Sequence, residues 1–308
     1  MRVVALPEIL AAIDEGEILA ALEEGFRRFA AGEVDVMVIG HLGFASPPGD
    51  CHVKGACVRG DAVFVVKLAT SFYRNPTHGL DSSNGFMTVV SATTGEVLAI
   101  LHDRGRLTDL RTALAGTIAA RLIAKPGASI FGIVGAGTQA RLQAESIRRH
   151  LGIKTLLVWA RDSERAKAFA AEFGGTAVPL DELCRRADVI VTTTPSTAPL
   201  ITSDMVPPGT RIVAVGADAP EKCEIAPEVM ARARIVADSV PQCVDHGDTS
   251  GAFRAGLVRE SDILQLGALL EDPIGFADEE IVIADLTGVA IQDVQIAKTI
   301  WARLSETH

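Results

Sequence analysis

The stretch Ile130–Ala140, which reads IFGIVGAGTQA, decides the fold of this 308-residue chain. Its first five residues have the pattern of a buried strand, and a helical pattern begins at Thr138. Between them, Gly135 permits a tight turn and Gly137 lets the backbone approach a pyrophosphate. The free N–H groups of the following helix N-terminus can bind phosphate. This context predicts a dinucleotide-binding βαβ unit, and the alternative is a glycine-rich turn that binds nothing.

The second half of the chain repeats this strand–helix order, because apolar strands alternate with amphipathic helices. Such alternation predicts a doubly wound parallel sheet of the Rossmann type. We expect strands at Ser129–Val134, Thr155–Trp159, Val189–Thr193, Arg211–Val215, Arg234–Ala237 and Ile281–Ala284, with helices at Thr138–His150, Glu164–Phe173 and Ile291–Leu304.

The first part of the chain has a different pattern, in which short β-rich runs are separated by turn signals. Such runs predict an antiparallel meander. We expect helices at Asp14–Ala31 and Asp109–Ala124, capped by Asp14 and Thr108, and strands at Val34–Ile39, His52–Val58, Ala62–Ala69, Gly85–Ser91 and Glu96–Leu101. The predicted fold class is therefore α/β, with a Rossmann domain and a second, mainly antiparallel α+β domain.

Charge and composition exclude several classes of partner. Lys plus Arg number 29 against 39 Asp plus Glu, and the net charge of −10 disfavours binding to nucleic acid or anionic membranes. The N-terminal acidic residues argue against a signal peptide, and no apolar run reaches the roughly 20 residues of a membrane span. Five cysteines without a CxxC pair are typical of reduced thiols. We therefore expect a cytoplasmic protein that binds a small molecule and no metal.

The cofactor preference depends on the end of the second Rossmann strand, where NAD enzymes usually place an acid for the ribose hydroxyls. Ala160 holds that position, while Arg161, Ser163 and Arg165 can contact a 2′-phosphate. The sequence therefore favours NADP(H). NAD(H) stays possible, because Asp162 is an alternative acceptor for the ribose.

Basic side chains interrupt the apolar strands of the first part of the chain. Lys67 lies in the run Val63–Leu68, where an unpaired charge is costly to bury. His52 and Lys54 share one face of the preceding strand. If the two strands pair, these side chains can converge and bind an anionic substrate. The alternative is a solvated face of an antiparallel sheet.

Arg111 and Asp218 are the other candidates for a role in chemistry. We place Arg111 in the first turn of a helix, where the dipole disfavours a cation unless an anion is bound, and a carboxylate fits its forked guanidinium. Asp218 follows a predicted parallel strand, at the edge where ligands bind, and is positioned for proton transfer. The alternatives are a solvated arginine and an ordinary turn aspartate.

In combination these motifs resemble the ornithine cyclodeaminase/μ-crystallin family over nearly the full length of the chain. The resemblance is carried by the strand Lys67, Gly79-Leu80 with Ser82, Thr94–Glu96, Leu107–Ala113, Gly135–Ala140, Asp218–Lys222 and Thr287–Asp293. It implies a homodimer in which residues 1–118 and 290–308 form the substrate-binding and dimerisation domain. Residues 119–289 would form the NAD(P)-binding Rossmann domain.

The resemblance also implies roles for individual residues. Lys67 and Arg111 would hold the substrate carboxylate, and Asp218 would move a proton, with Lys67 as the second expected catalytic residue. Cofactor contacts are expected from Ser82, Arg111, Thr112, Gly135, Ala136, Gly137, Thr138, Gln139, Thr194, Val215, Lys222 and Thr287, in addition to the 2′-phosphate residues.

Family members carry out NAD(P)-linked chemistry at the Cα–N bond of amino acids, so we expect a reductase of a small cyclic or linear imine of a 2-oxo acid, such as Δ1-pyrroline-2-carboxylate, or the reverse amino acid dehydrogenase. One alternative is an ornithine cyclodeaminase with retained NAD, and another is a non-catalytic, μ-crystallin-like cofactor-binding protein. Several members use an additional early-strand Arg for the carboxylate. This chain has none between Arg28 and Arg59, and His52 or Lys54 is its candidate replacement.

Overall fold

The computed structural model describes residues 1–72 and 74–306. The chain divides into two compact units, Met1–Arg111 with Val289–His308, and Thr112–Gly288. Its elements are β1 (Arg2–Ala5), α1 (Leu6–Ala11), α2 (Glu15–Ala30), β2 (Val34–Val36), β3 (Gly40–Ala45), β4 (Pro48–Val58), β5 (Val63–Phe72), β6 (Ser83–Ser91), β7 (Val97–His102), α3 (Arg106–Ile123), β8 (Ile130–Val134), α4 (Thr138–Leu151), β9 (Thr155–Trp159), α5 (Ser163–Glu172), β10 (Thr176–Ala177), α6 (Leu180–Arg186), β11 (Val189–Thr192), β12 (Arg211–Ala214), α7 (Pro227–Met230), β13 (Arg234–Ala237), α8 (Val240–His246), α9 (Thr249–Arg254), β14 (Leu264–Gln265), α10 (Leu266–Glu271), β15 (Val282–Asp285) and α11 (Ala290–Glu306).

The first unit is built on a seven-stranded sheet in the order β1-β7-β6-β5-β4-β2, with β3 also paired to β4. β1 runs parallel to β7, and the other strands pair antiparallel. The mainly antiparallel prediction is therefore confirmed, although β1, α1 and β3 were not anticipated. Alternate side chains such as Val65, Met87 and Leu101 are buried on the face against which α11 packs.

Helix α2 follows from a local signal that the sequence carries. The Asp14 side chain accepts the backbone N–H groups of Gly16 and Glu17 at 3.0 and 3.1 Å, which confirms it as the N-cap. Ile18, Leu22 and other apolar residues at helical spacing are buried, and α2 packs against α11.

The second unit contains an eight-stranded parallel sheet in the order β10-β9-β8-β11-β12-β15-β13-β14. The chain runs outward from β8 in one direction through β9 and β10, then returns to β11 on the other side. This reversal is the switch point at which doubly wound sheets bind ligands, beyond the carboxyl ends of their strands. The Rossmann prediction is therefore confirmed. Within the described ranges, no helix combines the length and apolarity needed to cross a bilayer.

The start of α3 differs from the prediction, and the difference changes the argument about Arg111. The helix begins at Arg106, because the buried Asp103 carboxylate accepts the Leu107 backbone N–H at 2.9 Å. Thr108 therefore lies inside the helix and does not cap it. Arg111 lies in the second turn, so its predicted first-turn position was wrong, and the helix dipole no longer explains a need for an anion there.

Candidate active site

A buried cluster of charged side chains lies on the covered face of the first unit's sheet. Lys67 on β5 and Arg111 on α3 both contact the carboxylate of Asp293 in the first turn of α11. The Lys67 Nζ–Asp293 Oδ2 distance is 2.7 Å, and the Arg111 Nε–Asp293 Oδ1 distance is 3.1 Å. Arg111 also donates from Nη1 to Gln292 Oε1 at 2.8 Å. All four residues are at most 6% exposed, so two residues with an expected role in carboxylate binding meet in one buried site.

Burial sets the protonation of this cluster. Desolvation lowers the pKa of Lys67 to about 7; the Asp293 carboxylate opposes that shift and Arg111 adds to it. Burial alone would raise the pKa of Asp293, but Lys67 and Arg111 hold it below its usual range. When Lys67 is protonated, two positive charges face one negative charge. The cluster then carries one net positive charge, which can attract an anionic ligand.

The strand register extends this basic face beyond Lys67. In the β4–β5 ladder Lys54 lies directly opposite Lys67, and His52 lies opposite Ala69. Opposed residues of an antiparallel pair present their side chains on the same face. His41 on β3 is in turn opposite His52, with ring centroids 4.7 Å apart. Lys54 is therefore the better placed of the two candidates for the missing early-strand Arg, and its role stays a prediction.

The dinucleotide loop has the local geometry that the glycine pattern predicts. Gly135 adopts a φ of +128°, and a Cβ at this position would lie 2.5 Å from Thr193 Oγ1. Gly137 is the N-cap of α4 without a side-chain hydrogen bond, and a Cβ there would meet no atom within 4 Å. Ala136 completes the loop, and Thr138 and Gln139 begin the helix. A helix N-terminus without a side-chain cap, bordered by open space, fits a pyrophosphate.

The loop between β9 and α5 bears on the choice between NADP(H) and NAD(H). Asp162 caps α5, because its Oδ1 accepts the backbone N–H groups of Glu164 and Arg165 at 3.0 and 3.2 Å. Arg161 is exposed, and the Arg165 guanidinium lies 3.4 Å from the carbonyl oxygen of Ala136 in the dinucleotide loop. Ser163 is the first residue of α5. The capping role of Asp162 weighs against its use as the ribose acceptor.

The buried carboxylate of Glu224 joins the segments that follow β11 and β12, and sequence reasoning did not identify it. Its Oε1 accepts the Thr194 N–H at 2.6 Å, and its Oε2 accepts the Thr192 hydroxyl at 2.6 Å and the Gly216 N–H at 2.9 Å. Burial raises the pKa of Glu224 to about 7, against the effect of these hydrogen bonds. Glu224 thereby fixes the backbone at Thr194 and at Gly216, the residue after Val215. Thr194 and Val215 are two expected cofactor contacts.

Asp218 and Lys222 follow β12 and form an ion pair with each other. The Asp218 side chain is 55% exposed. Within the second unit, the Asp218 carboxylate is therefore accessible to water. The loop position after a parallel strand is as predicted, and the catalytic role of Asp218 stays a prediction.

The other expected cofactor residues fall in both units. Ser82 lies immediately before β6 in the first unit. In the second unit, the Thr112 carbonyl accepts the Gln143 side-chain N–H at 3.2 Å. The buried Thr287 donates its backbone N–H to the Asp238 carboxylate at 3.0 Å. Their cofactor contacts stay predictions.

Gln292 and Asp293 lie in a motif that carried the family resemblance, but sequence reasoning gave them no role. The available signal was their position, since both are polar residues in the first turn of a helix whose neighbours Ile291 and Val294 are buried. Polar groups placed among buried residues need partners, and their partners here are Lys67 and Arg111.

Comparisons with known proteins identify the family of this chain. Residues 3–308 match the Ornithine cyclodeaminase/mu-crystallin family. A putative dehydrogenase of Rhizobium meliloti is 40% identical over 297 residues, which cover 93% of this chain and 90% of the relative. A solved archaeal alanine dehydrogenase dimer with bound NAD has a TM-score of 0.91 and 32% identity, and the match covers 100% of this chain and 97% of that one.

A second solved structure is similarly close. The iminosuccinate reductase of Paracoccus denitrificans in complex with NAD+ has a TM-score of 0.90 and 31% identity, with coverage of 100% of this chain and 97% of that chain. Because the family match spans nearly every residue, the resemblance seen in the motifs is confirmed. The chain belongs to the ornithine cyclodeaminase/mu-crystallin family, and it is an oxidoreductase.

Proposed function

We propose that this protein is an NAD(P)H-dependent reductase of a small imine of a 2-oxo acid, and that the reverse reaction is amino acid oxidation. The observation that carries the proposal is the buried pair Lys67 and Arg111, whose charges Asp293 only partly balances. A carboxylate is the ligand that such a site suits best. The named activities of the alanine dehydrogenase and the iminosuccinate reductase support this substrate class.

In the proposed mechanism the protein orients the substrate and moves one proton. Arg111 and Lys67 bind the carboxylate and so hold the imine carbon in one orientation, which lowers the entropic part of the barrier. Gly135 and Gly137 would hold a dinucleotide at its pyrophosphate, and its nicotinamide would then supply a hydride for the imine carbon. Asp218 delivers the proton to nitrogen, and the product is the amino acid. A pKa of about 7 also suits Lys67 to general acid–base catalysis at neutral pH.

We also propose that NADPH is preferred over NADH. Asp162 serves as a helix cap, whereas Arg161 is exposed and Arg165 lies against the dinucleotide loop. Nearby cations strengthen the binding of a 2′-phosphate, and a nearby carboxylate weakens it. The two relatives described above were solved with NAD, so both cofactors have to be compared in the same assay.

A homodimer is proposed from the uncovered face of the first unit's sheet. Leu42 is 59% exposed and Phe44 39%, and Val66, Leu68 and Phe86 on the same face are only partly buried. Exposed apolar patches of this kind mark interaction sites, and the archaeal alanine dehydrogenase is named as a dimer. Light scattering should give about twice the 32.4 kDa chain mass and a monomer for Leu42→Asp/Phe44→Asp. A monomeric wild type would contradict the proposal.

A substrate panel tests the proposed activity. NADPH and NADH absorbance and ammonia are recorded together with Δ1-pyrroline-2-carboxylate, Δ1-piperideine-2-carboxylate, pyruvate or oxaloacetate with ammonia, pyruvate with methylamine, and L-ornithine. We expect loss of nicotinamide absorbance with at least one imine. Ammonia release from ornithine without net absorbance change would instead indicate a cyclodeaminase. Tight NADPH binding without any turnover would indicate a non-catalytic protein.

The role of Asp218 is tested by comparing Asp218→Ala with Asp204→Ala, which changes another exposed aspartate of the same unit. Asp218→Ala should keep cofactor affinity and lose turnover, whereas Asp204→Ala should retain both. Full activity of Asp218→Ala would eliminate the proposed proton transfer.

A further inference from the structure

Gln292 presents a hydrogen-bond donor that has no acceptor among the described residues. The residue is 1% exposed, and its Nε2 is one of the buried side-chain atoms without a partner. Its Oε1 accepts from Arg111 Nη1 at 2.8 Å. Arginine can only donate, so the carboxamide oxygen must face Arg111 and the nitrogen must face away from it. The orientation of the amide follows from chemistry and not from a choice between similar atoms.

Such an orphaned donor is unusual in a folded protein. A buried N–H group without a partner loses its hydration without compensation, and native structures rarely leave one. Gln292 Nε2 shares its carboxamide carbon with the oxygen bound to Arg111, so the orphaned donor lies beside the guanidinium. The same guanidinium contacts Asp293, which also contacts Lys67.

The net charge of the cluster and the unpaired donor of Gln292 both indicate the same kind of ligand. With Lys67 protonated, Lys67 and Arg111 against Asp293 leave one positive charge, and Gln292 Nε2 requires an acceptor. A water molecule would satisfy the donor but would leave the charge. A carboxylate supplies both a negative charge and acceptor oxygens.

We propose that Gln292 binds the substrate carboxylate, with Nε2 donating to one carboxylate oxygen beside Arg111. The assignment deepens the proposed function and rests on it for the identity of the substrate as a 2-imino or amino acid. Asp293 is then a positioning residue, because it contacts both cations. It neutralises one of their two positive charges, and the remaining charge matches one substrate carboxylate.

The test separates donation to the substrate from support of Arg111. Gln292→Glu keeps an oxygen that accepts from Arg111, but it removes the donor and the surplus positive charge. Gln292→Met removes donor and acceptor together. The matched control is Gln295→Met on the same helix, a buried glutamine whose side chain lies against Gly25 of α2.

Steady-state kinetics with the best imine and NADPH give the first measurement. Both Gln292 variants should raise the KM for the imine by about 10- to 100-fold, the range expected for a lost hydrogen bond to a charged group. The KM for NADPH should stay within about twofold, and Gln295→Met should behave as wild type. If Gln292→Glu binds the imine as wild type does, the proposal is overturned, since Arg111 keeps its acceptor in that variant.

Binding without turnover gives the second measurement, so that the two proposals can fail separately. Thermal shift with pyruvate and with uncharged pyruvamide is recorded in saturating NADP+ for all four proteins. Pyruvate should stabilise wild type and Gln295→Met but neither Gln292 variant, and pyruvamide should stabilise none. If wild type binds pyruvate but reduces no imine, the reductase proposal fails and Gln292 keeps its role. If pyruvate stabilises no protein, or stabilises the Gln292 variants equally, the role of Gln292 is overturned.

Discussion

Replacement of Asp293 by Asn should destabilise the first unit in a pH-dependent way. Asp293 is 2% exposed and is the counter-ion of both Lys67 and Arg111. Removing one partner of a buried ion pair typically costs about 3–5 kcal/mol, because the remaining charge is left uncompensated. We expect a loss of this size in the free energy of unfolding at about pH 6, where Lys67 is protonated in the wild type.

The sign of the pH dependence follows from the pKa of Lys67. Its folded value of about 7 lies below the ordinary value of 10.5, so folding releases a proton between these values. The burial penalty is therefore complete below pH 7 and is relieved as the pH rises toward 10.5. The variant lacks Asp293 and should have a still lower Lys67 pKa. Above pH 7 the lysine is neutral in both folded proteins, and only the contact with Arg111 still distinguishes them.

Urea unfolding followed by circular dichroism at about pH 6 and about pH 9 measures both effects. The destabilisation should be at least about 1 kcal/mol smaller at the higher pH. The control is Asp61→Asn, which removes a partly buried carboxylate that contacts Lys298 of α11 and Arg28 of α2. It should cost less than Asp293→Asn at about pH 6, because its cationic partners keep access to water. A loss below about 1 kcal/mol for Asp293→Asn, or equal losses at both pH values, would refute the reasoning.

Three further predictions concern ligands. Arg161→Ala should lower kcat/KM with NADPH by about tenfold and leave kcat/KM with NADH nearly unchanged. An equal decrease in kcat/KM with both cofactors would exclude a 2′-phosphate contact. Gly137→Ala should strongly weaken NADPH binding, measured by fluorescence, without changing the melting temperature, because a Cβ there meets no protein atom within 4 Å; retained binding would place the pyrophosphate elsewhere. Lys54→Met should raise the KM for the dicarboxylic imine of oxaloacetate more than for the imine of pyruvate, since Lys54 lies opposite Lys67; equal changes would confine Lys54 to a monocarboxylate or structural role.

The dinucleotide loop and the fold class could be predicted because their causes are local. Gly135 and Gly137 meet steric requirements set by adjacent residues, and Asp14 caps a helix whose apolar spacing is visible in the sequence. Strand β3 was missed for a local reason as well. All six of its residues are exposed, so it lacks the alternation that predicts a half-buried strand.

The centre of the candidate site could not be predicted because its contacts are long-range. Lys67 and Arg111 were expected to bind an external anion. Part of the negative charge that balances them comes instead from Asp293, 182 positions away from Arg111. No local pattern specifies that pairing. The start of α3 illustrates the same limit, since both Asp103 and Thr108 are residue types that cap helices. Burial of the Asp103 carboxylate against the Leu107 N–H decides between them.

Deuterium transfer tests the central claim most directly. Wild-type protein is incubated with the best imine and with NADPH, or NADH, that carries deuterium at the reactive C4 position of the nicotinamide, and the amino acid product is examined by mass spectrometry. The account predicts a single deuterium on Cα, because the imine carbon held by Lys67 and Arg111 accepts the hydride while the proton on nitrogen comes from solvent. Unlabelled amino acid, or ammonia release from ornithine with the nicotinamide pool unchanged, would contradict it.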